Sequence, residues 1–182
     1  MQLYNGNCMD VLKQINIPDH AIIVTDPPFN IGYHYNQYKD NMDDDEYYRM
    51  LIDLLNIAPC VFIHYPEALY KLSVLSGKIP NRVVSWVYNS NTAKQHRDIA
   101  FYGVKPNFNQ VKNVNKEKTA HPCQMPLEVM KNIVGILPED SIIIDPFMGS
   151  GTTGLACQEL SRNFIGIELN EEYFNIAKDR LQ

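Results

Sequence analysis

The run Ile142-Ile143-Ile144 stops at Asp145 and passes through Pro146-Phe147-Met148 into Gly149-Ser150-Gly151-Thr152-Thr153-Gly154. Successive β-branched residues read as a short buried strand, and the glycine turn leads into a helix-forming stretch. A strand that feeds a helix through a glycine turn belongs to an α/β chain with a largely parallel sheet. The rest of the sequence repeats that alternation. Strands are predicted over 21–26, 60–64, 82–88, 99–102, 142–145 and 164–168, with those at 82–88 and 99–102 pairing antiparallel. Helices are predicted over 9–15, 43–57, 67–75, 127–137, 152–160 and 171–181. The acids Asp43, Asp44, Asp45 and Glu46 crowd one helix start, where the macrodipole favours negative charge, so they read as capping and not as a metal site. Residues 103–120 are rich in Asn and Lys without period and read as a surface loop.

A second strand ends in a different way. Ala21-Ile22-Ile23-Val24 is followed by Thr25-Asp26-Pro27-Pro28-Phe29-Asn30. Two prolines remove two N–H donors and fix φ, so the carbonyls beside them point in preset directions. A carboxylate, rigid carbonyls and an aromatic ring at a strand end suit a planar group that carries an exocyclic amine, above all a nucleobase. As plain structure, the same residues would be a proline-rich turn with Asp26 as turn former.

The glycines at 149, 151 and 154 match G-x-G-x-x-G, a turn whose amides approach a ligand at a helix N-terminus. By itself that pattern is weakly selective. No lysine follows the glycines, which argues against a phosphate cradle. Asp145 before them suits an ammonium group and suits a pyrophosphate poorly, and few residues follow Gly154, which argues against a dehydrogenase. Glu168 ends the next strand, where it is placed for ribose hydroxyls. An α-amino acid joined to a nucleoside fits best, which is S-adenosylmethionine.

Together, Asp26-Pro27-Pro28-Phe29 and Asp145-Pro146-Phe147-Met148-Gly149-Ser150-Gly151-Thr152-Thr153 resemble the DNA amino-methyltransferases, adenine-N6 and cytosine-N4, in their circularly permuted β group. His121-Pro122-Cys123-Gln124-Met125-Pro126 is similar to that family's His-Pro-Thr-Gln-Lys-Pro element, and the segment from Gly166 to Tyr173 to its acidic ribose-binding stretch. Phe29-Asn30-Ile31-Gly32-Tyr33 is similar to the continuation of the catalytic motif.

The resemblance implies a Rossmann-like methyltransferase fold and S-adenosylmethionine as cofactor. It implies transfer to N6 of adenine in DNA, because Asp at the first catalytic position is typical of adenine enzymes; cytosine N4 is the alternative. Asp26, Pro27, Pro28 and Phe29 would act on the target base, which must leave the duplex to be reached. Asn7, Asp26, His121, Pro122, Gln124, Asp145, Pro146, Phe147, Gly149, Ser150, Gly151, Thr152, Thr153, Glu168 and Asn170 would surround the cofactor. Departures from the family pattern are Asn7 in place of Asp, Met125 in place of Lys, and Phe29 in place of Tyr. The target-recognition region is reduced to about residues 80–120. A different class of reading is a non-catalytic DNA-binding subunit that retains the fold.

Charge distribution supports a nucleic-acid partner despite a net charge of −5. Residues 71–118 hold nine of the sixteen Lys and Arg and two of the twenty-one acids. Phosphate neutralisation needs only such a local excess. Lys94, Arg97, Lys105, Lys112, Lys116 and Lys118 are the expected DNA contacts. With little recognition apparatus, a homodimer or a separate specificity partner is expected. The 182 residues read as a single domain. Cys8, Cys60, Cys123 and Cys157 form no C-x-x-C pair, so free thiols, no metal and a reducing cytoplasm are expected. No membrane span or export signal is evident. His34 and His64 read as structural, Tyr33, Tyr35 and Tyr38 as a possible base clamp, and Trp86 as core.

Overall fold

The computed structural model describes residues 1–32, 34–35, 38–87, 96–107 and 125–182, with the backbone alone at 34, 35, 38 and 39. Nine strands and six helices are described. In chain order these are β1 (Gln2–Asn5), α1 (Cys8–Gln14), β2 (Ala21–Thr25), β3 (His34–Tyr35), β4 (Tyr38–Lys39), α2 (Asp44–Ile57), β5 (Cys60–His64) and α3 (Pro66–Ser76). There follow β6 (Arg82–Val87), β7 (His96–Tyr102), α4 (Leu127–Gly135), β8 (Ile142–Asp145), α5 (Thr152–Glu159), β9 (Phe164–Glu168) and α6 (Glu171–Leu181). Seven strands form one sheet in the order β1-β9-β8-β2-β5-β7-β6, while β3 and β4 make a separate antiparallel pair. Pairing is parallel from β1 through β5 and antiparallel for β7 against both β5 and β6.

Strict alternation along the central strands builds two cores. Ile22 and Val24 of β2, Val61 and Ile63 of β5, and Ile99 and Phe101 of β7 pack with Val129, Met130 and Ile133 of α4, Ala156 of α5 and Ala177 of α6. Ala21 and Ile23, Cys60 and Phe62, and Ala100 and Tyr102 face the other way, toward Leu12 of α1, Leu51 and Leu54 of α2, and Leu69 and Leu72 of α3. A residue period of two places neighbours on opposite faces. With both faces covered, even the polar ends of the central strands are buried, and Thr25 is 0% exposed.

The helix after β2 covers one face and the helix after β8 the other. Adjacent parallel strands whose connections leave in opposite directions open a crevice at their carboxyl ends. Asp26 and Asp145 both lie at that crevice.

The differences from expectation are local. Helix α4 ends at Gly135, and β7 begins three residues earlier than periodicity predicts, at His96. Trp86 is half-buried on the edge strand β6, packed against one core and not inside it. Asp43 is the cap of α2, its side chain accepting from the Asp45 and Glu46 amides at 3.0 and 3.3 Å. The loop reading over 103–120 meets Val104, which is buried, and Asn107, whose amide donates to the Ile136 carbonyl at 2.8 Å. The rest of that segment lies outside the described residues.

Candidate active site

The turn after β8 is closed by its own chain. The Asp145 carboxylate is 2% exposed. Its Oδ1 accepts from Thr25 Oγ1 at 2.7 Å and from the Phe147 amide at 3.1 Å, and its Oδ2 accepts from Thr153 Oγ1 at 2.5 Å. Burial pushes its pKa up to about 6 against the downward pull of these donors. Asp145 therefore ties the end of β2 to the start of α5. Three internal donors use most of the four acceptor sites of the carboxylate.

Glu168 closes the same turn from β9. Its Oε2 accepts from the Gly149 amide at 3.0 Å and its Oε1 from the Asn170 amide at 2.8 Å. Burial raises its pKa and the backbone donors lower it. Gly149 has φ 52°, and a side chain there would meet nothing within 4 Å. That combination leaves open space above a backbone conformation that favours glycine. Gly154 is constrained for packing instead, since a Cβ would approach Leu181 Cδ1 to 2.6 Å and Phe164 Cε1 to 2.9 Å. Arg180 of α6 donates to the Ser150 carbonyl at 2.6 Å and to Ser150 Oγ at 3.0 Å. A carboxylate beside amides and an open glycine turn fits a nucleoside carrying polar groups, as S-adenosylmethionine does.

Two expected cofactor residues serve as helix caps. Asn7 Oδ1 accepts from the Met9 and Asp10 amides at 2.9 and 3.3 Å, and Asn170 Oδ1 from the Glu172 and Tyr173 amides at 2.9 and 3.1 Å. Met125, which stands where the family pattern has lysine, is 5% exposed in the core.

The turn after β2 is built on different partners. Asp26 Oδ2 accepts from Arg97 Nη1 at 3.0 Å. Asp26 Oδ1 and Asn30 Oδ1 are buried and have no hydrogen-bond partner among the described residues. Burial raises the Asp26 carboxyl to about 6, with Arg97 pulling down and the Asp145 carboxylate pushing up. Phe29 sits among rings, its centroid 4.8 Å from His64 and 4.9 Å from Tyr65. The Arg97 guanidinium carbon lies 4.4 Å from the Phe29 centroid. Arg97, expected among the phosphate contacts, lies against the catalytic motif at the start of β7.

Two supports of this turn are not evident from sequence. Asp40, 1% exposed, accepts from the Asn30 amide at 2.9 Å and the Ile31 amide at 3.3 Å. It holds Asn30 at φ 54°, a conformation that asparagine tolerates. Tyr47 and His64 form the second support. The Tyr65 amide donates to His64 Nδ1 at 2.7 Å, so Nε2 carries the proton and donates to Tyr47 Oη at 2.8 Å. The Tyr47 hydroxyl then donates to the Pro28 carbonyl at 2.7 Å. An acid forty residues into the chain and a helical tyrosine give no local signal of these roles.

Lys105 is exposed but lies with Asp19, His20 and Pro138 around a cavity at the amino ends of the central strands, the sheet edge opposite Asp26. Lys94, Lys112, Lys116, Lys118, His121, Pro122 and Gln124 lie outside the described residues, as do Tyr33 and the side chains of His34, Tyr35 and Tyr38. Among the described residues no group of side chains could hold a metal ion, and no helix is long and apolar enough to cross a membrane.

Known proteins resemble this chain in sequence and fold. A family model described as DNA methylase, covering the N6 and N4 enzymes, matches residues 63–179. The Type II methyltransferase M.HpaI of Haemophilus parainfluenzae is 27% identical over 99% of this chain and 74% of its own length. The crystal structure of the M1.HpyAVI–SAM complex superposes with a TM-score of 0.71 at 29% identity, covering 99% of each chain. PvuII DNA methyltransferase, which is cytosine-N4-specific, shares the fold with a TM-score of 0.76 at 16% identity, over 99% of this chain and 86% of that one. The family model, covering well over half of the chain, and the two motifs meeting at one crevice lead to one assignment: the chain belongs to the N6/N4 DNA methylase family, the S-adenosylmethionine-dependent amino-methyltransferases of DNA.

Proposed function

We propose that the base methylated is adenine, at N6, and that Asp26 receives its amine. The observation that carries this reading is the Asp26 carboxylate, with Oδ2 held and Oδ1 buried without a partner among the described residues, on a proline-stiffened turn beside an aromatic ring. A buried acceptor left unmade is costly, and an N–H donor relieves it. Resemblance of the Asp-Pro-Pro-Phe turn to adenine enzymes favours adenine over cytosine.

An aromatic amine is a weak nucleophile because its lone pair is delocalised into the ring. Hydrogen bonds from the amine to Asp26 Oδ1 and to the Pro27 carbonyl localise that lone pair and fix its direction. Phe29 stacks on the extruded base, and Tyr47 holds the Pro28 carbonyl so that the turn keeps its shape. Bound S-adenosylmethionine supplies an electrophilic methyl group. Glu168 and the amides near Gly149 hold its nucleoside, with His121, Pro122 and Gln124 as further contacts. The demand on the protein is chiefly positioning, and the ionised Asp26 balances the positive charge that the amine gains with the methyl.

Lys94, Lys112, Lys116 and Lys118 are proposed as phosphate contacts within a recognition region reduced to about residues 80–120. The M.HpaI alignment runs over 231 positions against the 182 residues of this chain, which supports a reduction. A second copy or a separate partner would then supply sequence selectivity, and the reading places the enzyme in the cytoplasm.

The test is direct. Mixed-sequence DNA is incubated with methyl-labelled S-adenosylmethionine, digested to nucleosides and separated. Label is expected in N6-methyldeoxyadenosine. Label in N4-methyldeoxycytidine would overturn the base assignment, and absence of label from both would overturn catalysis on DNA by this chain alone.

A further inference from the structure

Arg97 reproduces, within the protein, both contacts that the target base needs. Its guanidinium is planar and donates N–H to the Asp26 carboxylate at 3.0 Å while lying across the Phe29 ring at 4.4 Å. The pair is well shielded, with side-chain exposures of 15% for Arg97 and 19% for Asp26. We infer that Arg97 is an internal surrogate of the target base, filling the base site of the DNA-free enzyme and withdrawing when a base enters. The inference rests on the proposed role of Asp26 and Phe29.

Three physical points support exchange over coexistence. The ring face of Phe29 under the guanidinium is where a base would stack, and one face takes one planar partner. Asp26 Oδ1 is buried, so an amine reaches it only after a covering group moves. Charge gives the third reason. The exocyclic nitrogen becomes positive as it gains the methyl and before it sheds a proton. A guanidinium on the same carboxylate opposes that development. Among the described residues the titratable groups around the pair are Asp145 after β8, Tyr47 on α2, His64 at the end of β5 and Tyr65 beyond it. A surrogate of this kind keeps a buried carboxylate satisfied between substrates. It also taxes binding, because apparent affinity falls with the fraction of molecules whose site is open.

The test compares two oligonucleotides of one mixed sequence, one with adenines and one with those positions abasic. The ratio of their affinities isolates the base-site contribution from phosphate contacts. It is measured with the demethylated cofactor present, for the wild type and for Arg97→Met. The ratio is expected to exceed one in the wild type and to rise about tenfold in the variant, whose site is no longer occupied. A ratio above one that stays unchanged or falls in the variant overturns the surrogate while leaving the base site intact. A ratio of one in both proteins removes the base site itself, and the surrogate with it. Should Arg97→Met fail to fold, nitrogen-15 spectra of the wild-type arginine side chains give the same decision. The Arg97 guanidinium signal is expected to be exchange-protected in the free protein and in the abasic complex, and to lose protection with the adenine oligonucleotide. Protection retained in the adenine complex overturns the inference.

Discussion

Asp145 and Asp26 end neighbouring parallel strands, and burial raises both carboxyls to about 6. Their partners differ. Asp145 spends both oxygens on Thr25, Thr153 and the Phe147 amide, all fixed parts of the framework. Asp26 has one oxygen on a long side chain from β7 and one without a partner. The glycine-rich side of the crevice is thus assembled by folding alone, whereas the base side keeps a replaceable contact and an unfilled acceptor. A site that receives a reusable small cofactor benefits from rigidity. One that admits a base levered out of a polymer must exchange partners.

If this contrast holds, the largest effect falls on Asp26. Asp26→Ala should lower single-turnover methyl transfer by about 10²- to 10³-fold, the range for losing a group that stabilises charge developing in the transition state. Cofactor affinity by calorimetry should stay near that of the wild type. Turnover within tenfold of wild type would remove Asp26 from the chemistry. Asp145→Ala should instead damage the framework. Two buried hydroxyls and an amide lose their acceptor at about 1–3 kcal/mol each, so the thermal midpoint should drop by on the order of 10 °C. Asp145→Asn, which retains an acceptor, should recover much of that loss. A fall in cofactor affinity with no change in melting would show that Asp145 serves the ligand and not the framework.

Glu168→Ala sharpens the comparison from the other side. Removing a charged acceptor should weaken cofactor binding about ten- to a hundredfold. Unchanged affinity would mean that Glu168 serves only the Gly149 and Asn170 amides. Tyr47→Phe should have a smaller effect, about one hydrogen bond of roughly 1 kcal/mol, felt as a several-fold slower transfer with cofactor affinity intact. Equal losses in both quantities would show that the Tyr47–His64 link supports the whole crevice and not the base turn alone.

The smallest effect is a pH contrast. Folded Asp26 and Asp145 titrate near 6, above their ordinary 3.8. Between about pH 4 and 6 the folded protein therefore retains protons that the unfolded chain has released. The stability these carboxyls contribute is complete below that window and lost as pH rises through about 6. Activity runs the opposite way, because the amine needs an ionised Asp26. Methyl transfer should rise through pH 6 while the two carboxyls' share of stability falls. Parallel rate and melting measurements on wild type and Asp145→Asn would separate the two trends. A transfer rate flat across that range would mean that Asp26 ionises well below 6.

Legibility in the sequence followed the range of the interactions. Ile142 to Ile144 announce a buried strand from composition alone, and Asp43 announces its cap by standing before an amphipathic run. The glycine turn was legible because backbone conformation is specified by glycines close in sequence. The Arg97–Asp26 contact is hidden in the sequence because the two lie 71 residues apart, and a cation amid other cations looks like a surface. Asp40 and the Tyr47–His64 pair share that difficulty, since a buried polar group finds its partner only after the sheet closes. Asn7 and Asn170 show the converse: beside the motif position each also caps a helix, a local role that the residue type before a helical run makes legible.

The strand β1 sits at the sheet edge and pairs with β9, Gln2 opposite Ile165. During synthesis β1 must therefore wait for β9, more than 150 residues on. A nascent chain that has emerged through α3 already contains Asp26, Phe29, Tyr47 and His64, yet it lacks Arg97, the glycine turn and Glu168. Such a fragment has the groups for a base and nothing to hold a methyl donor. Pairings of this sequence separation form late and slowly. The βαβ unit of β8, α5 and β9, once released, completes the sheet and brings the cofactor turn to the base-side groups made before it.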